Sequence, residues 1–251
     1  MPPRIKENQT ISRLILKIHG DYDKRLGAYK ITHILNRDYG IKVSVGRVYR
    51  LIQRLCLPTM STSKPVIKAS KENYEDTKLC NHLKQEFNPP EPNMVWTSDF
   101  TYIKVNGVWF YLCIIMDLFS RKIISWNISN KADCALSLST FNEAYNKRNC
   151  PTGLMFHSDR GAQYTAAPFR KLLDKFNVVQ SFSKKGYPFD NACCESFFKY
   201  LKKEECYRKN YHSVGELKLS LFEYIEGFYN SRRLNYTYKS GHIKQIVLLY
   251  L

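Results

Sequence analysis

The order of segment types in this 251-residue sequence predicts an α/β protein: a mixed five-stranded sheet with flanking helices, preceded by a small all-α helix-turn-helix domain. Three observations predict it. Apolar residues recur at helical spacing between residues 10 and 57. Three runs rich in β-branched and aromatic residues then follow one another from Val95 to Ile128, with a hairpin signal between the first two. Beyond them, helical and short extended stretches alternate as far as Tyr229.

In the head, Ile11, Leu14, Ile15 and Ile18 share one helical face, and Gly20 is expected to interrupt it. Tyr29, Ile31, Ile34 and Leu35 form a second stripe that Gly40 is placed to stop. Ser44 is a good N-cap for a third stripe of Val45, Val48, Leu51, Ile52 and Leu55, with Arg47, Arg50 and Arg54 on its other side. Two short helices around a Gly-containing turn, the second one basic, predict a helix-turn-helix DNA-binding domain over 1–57, with Arg47 and Arg50 as candidate DNA contacts. A helical bundle with a solvated basic face reads the same way. Periodicity is lost over 58–93, which opens on Pro58 and Pro65 and closes on Pro89, Pro90 and Pro92; this is a linker, with room for a short helix near 73–86.

The body, 94–230, opens on a strand at Val95–Lys104. Asn106-Gly107 is a two-residue hairpin signal, and Val108–Met116 is apolar enough for a central strand. Asp117–Ser120 turns the chain into a third strand, Arg121–Ile128. A helix is expected from about Ala132 to Lys147, ended by Pro151 and Gly153. Next come a strand at Leu154–His157 ending at Asp159, a helix near Ala167–Phe176 and a strand at Val178–Phe182. After a loop at Lys184–Pro188, helices are expected at Asn191–Cys206 and Val214–Tyr229. Three strands, helix, strand, helix, strand, helix is the layout of the ribonuclease-H-like fold. A tail, 231–251, follows.

The unusual bulk property is charge. Lys plus Arg number 39 against 22 Asp plus Glu, a net of +17, of which about +9 lies in residues 1–90 and the rest beyond. Solubility of a small domain needs only roughly 2–8 charges, so a basic excess spread over the whole chain points to a phosphate-lined partner, DNA. The eight cysteines contain no C-x-x-C pair, and neither a signal-like apolar segment nor a run of membrane-spanning length occurs. They read as reduced thiols of a cytoplasmic protein with no membrane partner.

Three acids occupy distinctive places. Asp99 lies mid-strand among apolar neighbours, where a charge needs a partner. Asp159 lies where the fourth strand ends, and Glu195 in the first turns of the following long helix. If the first and fourth strands are neighbours, all three converge. Mg²⁺ takes hard oxygen ligands, and two such ions about 3.5–4 Å apart can stabilise the attacking and leaving oxygens of a displacement at phosphorus. Blander readings stand beside this one: Asp159 as a turn residue before Gly161, and Glu195 as a favourable charge near a helix N-terminus. Asp190 is best explained as that helix's N-cap, and Asp117 as a turn residue.

The segments W-T-S-D-F-T-Y-I around Asp99, D-L-F-S-R from Asp117, H-S-D-R-G-A-Q-Y around Asp159, D-N-A-x-x-E-S-F-F-x-x-L-K around Glu195 and Y-N-S-R-R from Tyr229 resemble those of the catalytic subunit of IS-three family insertion-sequence transposases, whose core is similar to that of retroviral integrases. The 35 residues between Asp159 and Glu195 match the D,D-35-E spacing. The resemblance covers roughly residues 10–233 and implies an integrase-like catalytic core over 94–230, with Asp99, Asp159 and Glu195 as catalytic metal ligands. It implies Mg²⁺ as cofactor, with Mn²⁺ as a substitute and two ions when DNA is bound. The implied reaction is cleavage of the element's DNA ends followed by strand transfer, in which the freed 3′-OH attacks a phosphodiester, first joining one end to the other in a circle. The implied partners are terminal inverted repeats and target DNA, further copies of the chain on DNA, and an upstream-frame transposase segment, in the nucleoid of a bacterial cytoplasm. Lys199 and Lys202, on one helical face with Glu195, match positions that contact terminal DNA; Tyr187 is placed to stack on an unpaired base; His157 either orients the site or is structural.

Two departures qualify the resemblance. The family pattern usually continues after Y-N-x-x-R-x with His and, further on, a Leu and a Pro; here Asn235 follows Arg233-Leu234, residues 236–251 contain no proline, and the ending Ile246–Leu251 is apolar. The alternatives are therefore a decayed or non-catalytic DNA-binding copy, or a simple metal-dependent nuclease of the same fold. No sustained heptad occurs, so the chain is expected to be an unfused catalytic portion.

Overall fold

The structure is a computed structural model and describes residues 3–57, 79–184, 187–233, 236–239 and 242–245. It divides into two compact units, Met1–Ile67 and Lys68–Leu251.

The first unit is three helices: α1 (Pro3–Asp21), α2 (Ala28–Tyr39) and α3 (Val45–Arg54). Ile11, Ile15 and Ile18 of α1, Ile31, Ile34 and Leu35 of α2, and Val48, Leu51 and Ile52 of α3 are buried apolar residues, joined by Leu26 from the loop before α2. Gly20 does not interrupt α1, which runs on to Asp21 because the buried stripe continues through Ile18 and His19. Gly40 does stop α2: at φ 65° it turns left-handed, and its N–H and that of Ile41 close back on Asn36 and Leu35. Ser44 caps α3 by accepting from the Arg47 amide at 3.3 Å.

The second unit is built on a sheet of order β3-β2-β1-β4-β5. Its strands are β1 (Val95–Val105), β2 (Val108–Asp117), β3 (Ile123–Ser129), β4 (Met155–Ser158) and β5 (Val179–Phe182). The first three run antiparallel in succession; β4 then pairs parallel with β1, and β5 parallel with β4. The β1–β2 hairpin turns on Asn106 and Gly107, at φ 42° and 86°, the double left-handed turn that Asn-Gly favours. The ribonuclease-H-like layout expected from the element order is the one observed.

Successive strand residues face opposite sides, and the two sides of β1 meet different helices. Trp96 packs with Phe141 of α4 (Cys134–Lys147), Tyr164 of α5 (Ala162–Thr165), Phe169 of α6 (Ala167–Lys175), and Phe156 and Phe182 of the neighbouring strands. Thr97, one residue on, faces α7 (Ala192–Glu204), hydrogen bonding to Asn191 and Cys194 at its start. α8 (Val214–Phe222) continues directly into a π-helical turn over Glu223–Tyr229, where a single helix was expected. This last helix is fastened at both ends of the turn. Asn230 accepts from the Ile123 amide and donates to the Ile123 carbonyl, each at 2.9 Å, so its side chain pairs with edge strand β3 as another strand's backbone would. Arg233 bonds the buried Glu204 of α7 at 3.1 Å, lies 3.9 Å from the Tyr200 ring centroid, and Tyr224 donates to the same Glu204 at 2.6 Å. The short helix expected near 73–86 lies partly outside the described residues; 79–86 is not helical. A two-stranded ribbon, β6 (Tyr236–Lys239) and β7 (His242–Gln245), is present in the tail.

Candidate active site

The sheet brings the first two acids to one place by register. β1 and β4 run side by side, and the last pair of their ladder is Thr97 opposite His157. Asp99 and Asp159 each come two residues later, so both project on the Thr97 side, from strands spaced about 4.8 Å apart. That is the side α7 covers. Asp99 is partly buried, and its carboxyl is raised to about 7, first by burial and then by the negative charges of Asp159 and Glu195; the Phe100 amide, donating to Oδ1 at 2.7 Å, and the Lys202 ammonium work against the rise. Oδ1 of Asp159 accepts from the Gly161 amide at 3.0 Å, an Asx turn that fixes the exit from β4. Glu195 stands exposed in the first turn of α7, its carboxyl raised by partial desolvation.

What places Glu195 is a latch the acid-centred reading did not include. Asn191 accepts from the Thr97 hydroxyl at 2.6 Å and donates to the Ser98 carbonyl at 3.1 Å, tying the start of α7 to the residues just before Asp99. Asp190 is not the N-cap expected of it. It is buried and accepts from Asn81 and Gln85 side chains and from the Lys184 amide, each at 2.8 Å, gathering three segments beneath the helix start. The chain there is a 3₁₀ turn, Pro188–Asn191, which directs the Asp190 side chain inward rather than along the α7 axis. The D-N-A motif carried this signal: two adjacent side chains of short reach before a helix. Asp117 is the turn residue expected, accepting from the Phe119 amide at 3.2 Å and the Ser120 hydroxyl at 2.7 Å.

The other candidate residues are placed as follows. His157 is fully buried, its ring nitrogens 2.9 Å from the Ser181 and 3.1 Å from the Ser183 hydroxyl, and burial lowers its pKa to about 4, so it spans β4 and β5 as a neutral ring. Lys202 lies on α7 with its ammonium 4.5 Å from the Tyr102 ring centroid; burial lowers its pKa, while Asp99 counters the drop. Lys199 and Tyr187 are exposed. In the separate head, Arg50 is exposed, whereas Arg47 pairs with Glu7 at 2.8 Å and bonds Asn8 at 2.9 Å, fastening α3 to α1.

Among the described residues, no three His, Cys, Asp or Glu side chains approach closely enough to hold a metal ion as they stand. The donor set nevertheless suits Mg²⁺: three carboxylates, one of them pushed towards its neutral form first by burial and then by the charge of the other two, a repulsion that a divalent cation relieves.

Comparison with known proteins places these features in a family. An integrase core domain model matches residues 89–188, a second integrase core model matches 195–243, and an HTH-like domain model matches 6–61. The chain is 33% identical over 231 residues to the transposase for insertion sequence element IS904 of Lactococcus lactis subsp. lactis (strain IL1403), covering 91% of this chain and 90% of that protein. It is 37% identical over 153 residues to the transposase InsF for insertion sequence IS3A of Escherichia coli (strain K12), covering 61% of this chain and 53% of that one. Among solved structures, the catalytic domain of Mos1 mariner transposase matches with a TM-score of 0.46 and 17% identity, over 54% of this chain and 71% of that one.

Proposed function

Because the chain belongs to the insertion-sequence transposases typified by the IS904 and IS3 proteins, enzymes of polynucleotidyl-transferase type, we propose that it cuts the DNA ends of its element and joins them to a second phosphodiester, with Asp99, Asp159 and Glu195 as its catalytic carboxylates. The observation that carries the proposal is the juxtaposition of the three acids: two at matched positions past the last β1–β4 pair, the third on a helix latched to β1, with both others acting on the charge of Asp99.

Asp99, Asp159 and Glu195 would hold Mg²⁺, with Mn²⁺ as a substitute and two ions when DNA is bound. Bound there, the ions would supply Lewis-acid stabilisation to the attacking and leaving oxygens at phosphorus. Cleavage forms one P–O bond to water and breaks the bond to the 3′ oxygen, releasing a 3′-OH. Joining forms a bond from that 3′-OH to a second phosphorus and releases another 3′-OH. One ester is exchanged for one, so joining needs no nucleotide cofactor. The protein's own part is positional. The sheet fixes Asp99 and Asp159; Asn191 fixes Glu195; Lys199 and Lys202 offer cations to the phosphates, and Tyr187 an exposed ring to an unpaired base. His157, neutral and bonded on both nitrogens, keeps the β4 end in register rather than moving protons. The head reads DNA through the exposed side of α3, where Arg50 lies. Synapsis of two ends calls for more than one copy on the DNA, with an upstream-frame segment as a further partner.

The test is a labelled terminal-repeat duplex incubated with the full chain and Mg²⁺. Joined products are expected, and they should vanish for Asp99→Asn, Asp159→Asn and Glu195→Gln while DNA binding persists. Cleavage without joining would make the chain a nuclease of this fold; unchanged activity in all three variants would reject the carboxylate mechanism.

A further inference from the structure

β4 pairs with β1 only as far as Thr97, so among the described residues the margin of β1 beyond Asp99 carries no strand on that side until the isolated bridge between Val105 and Tyr211. Along this stretch the side chains facing away from α7 are Tyr102 and Lys104, and across the hairpin from them lies Trp109. These are large aromatic groups left in water: Tyr102 is 55% exposed and Trp109 48%. They are ordered against each other edge to face, with centroids 5.1 Å apart and planes at 89°. Each ring carries a lysine: Lys202 reaches from α7 to within 4.5 Å of the Tyr102 centroid, and Lys104 lies 5.5 Å from that of Trp109.

A packing role does not explain this shelf. The neighbouring odd-numbered residues Thr101, Ile103 and Val105 are all buried, so the hairpin has its core contacts without Tyr102 or Trp109. Exposed rings interleaved with cations are the means by which proteins bind unpaired nucleic acid: bases stack on the rings while phosphates meet the cations. The location fits the same chemistry. Tyr102 is three residues along an extended strand from Asp99, roughly 10 Å and on the opposite face, and Lys202 of α7 joins the two across the open margin, its ammonium over the Tyr102 ring while its charge acts on Asp99.

We propose that Tyr102 and Trp109, with Lys104 and Lys202, form a stacking shelf for an unpaired nucleobase of the DNA strand at the active site. In the free protein the lysines rest on the ring faces. On DNA they turn to the phosphates flanking the unpaired nucleotide, and its base takes a vacated ring face. The shelf deepens the function proposed above and rests on it, because it assumes that DNA ends are the substrate. It is distinct from Tyr187, which lies before α7 rather than on the hairpin.

The experiment compares binding of the full chain to a blunt duplex and to the same duplex with a short single-stranded overhang, by fluorescence anisotropy at fixed salt. The wild-type chain should favour the overhang by about tenfold, as one stacked base would give. In Tyr102→Leu/Trp109→Leu the ratio should fall to near one, and Tyr102→Phe/Trp109→Phe should restore most of it, since a phenyl face stacks while a leucine does not. No preference in the wild type, or the same preference in the leucine variant, overturns the shelf. Should the leucine variant not fold, the tryptophan emission of the wild type decides. Relative to Trp109→Phe it should be quenched by the overhang duplex and not by the blunt one, and equal quenching overturns the proposal. Failure of the wild type to bind either duplex would instead reject the transposase reading itself, and the shelf with it.

Discussion

Asp99 shows how one residue can be placed against its own electrostatic comfort. Its carboxyl is raised from its ordinary value to about 7, so the folded protein holds a proton there that the unfolded chain has lost. The sign follows: stability falls as pH rises from about 4 through 7, because ionisation is easier in the unfolded state. His157 acts in the opposite sense over nearly the same range. Lowered to about 4, it makes the fold lose stability as pH drops below its unfolded value of 6.5, where the unfolded chain binds the proton first. Asp99→Asn should therefore raise the melting temperature at pH 8 in the absence of divalent ions, by roughly 1–3 kcal/mol of stability, and abolish joining. A chelator-treated wild type that melts no lower than Asp99→Asn would refute the electrostatic account. In the head, Arg47 and Arg50 separate for a similar reason. Arg50→Ala should weaken DNA binding without changing the melt, whereas Arg47→Ala loses its bonds to Glu7 and Asn8 and should also loosen α3 from α1 and lower the melting temperature; a melting curve of each purified variant distinguishes them.

Among the elements, α7 is the one whose position the proposed chemistry depends on, and it is held from both ends. At its start, Asn191→Ala removes a side chain that both accepts from Thr97 and donates to the Ser98 carbonyl. The expected cost is ~1–3 kcal/mol of stability, with joining reduced more than DNA binding because Glu195 loses its register with Asp99; equal loss of both would make Asn191 merely structural. At its end, Arg233→Met removes the guanidinium from the buried Glu204, to which Tyr224 also donates, a loss of about 3–5 kcal/mol measurable by urea denaturation. The sequence carried these elements unevenly. The strands at Val95, Val108 and Val179 and the caps at Gly40 and Ser44 were legible because periodicity and local turn chemistry are encoded within a few residues. Gly20 was misread because a buried stripe outweighs one glycine's helix cost of about 1 kcal/mol. Asp190 was misread because its partners, Asn81 and Gln85, are more than a hundred residues away. Y-N-S-R-R, recognised as a motif, acquires its physical meaning only with Ile123 and Glu204 beside it.

At the scale of the whole molecule, charge is the dominant property. A net +17 spread over both units predicts that DNA affinity falls linearly with log salt, at a slope near −0.9 per phosphate neutralised. Titrations at several ionic strengths should give a steep line, and a flat one would remove DNA as partner. Among the described residues no helix is long and apolar enough to cross a membrane. The same whole-molecule view gives the Asn230 side chain a second meaning. β3 is the outermost strand of its sheet, and an outermost strand offers its free amides and carbonyls to any extended peptide that meets it. By occupying both backbone groups of Ile123, Asn230 works as a plug at one end of that edge. For the proposed synapsis by several copies on one DNA, the plug would keep an unwanted route of self-association, sheet adding to sheet, from starting there.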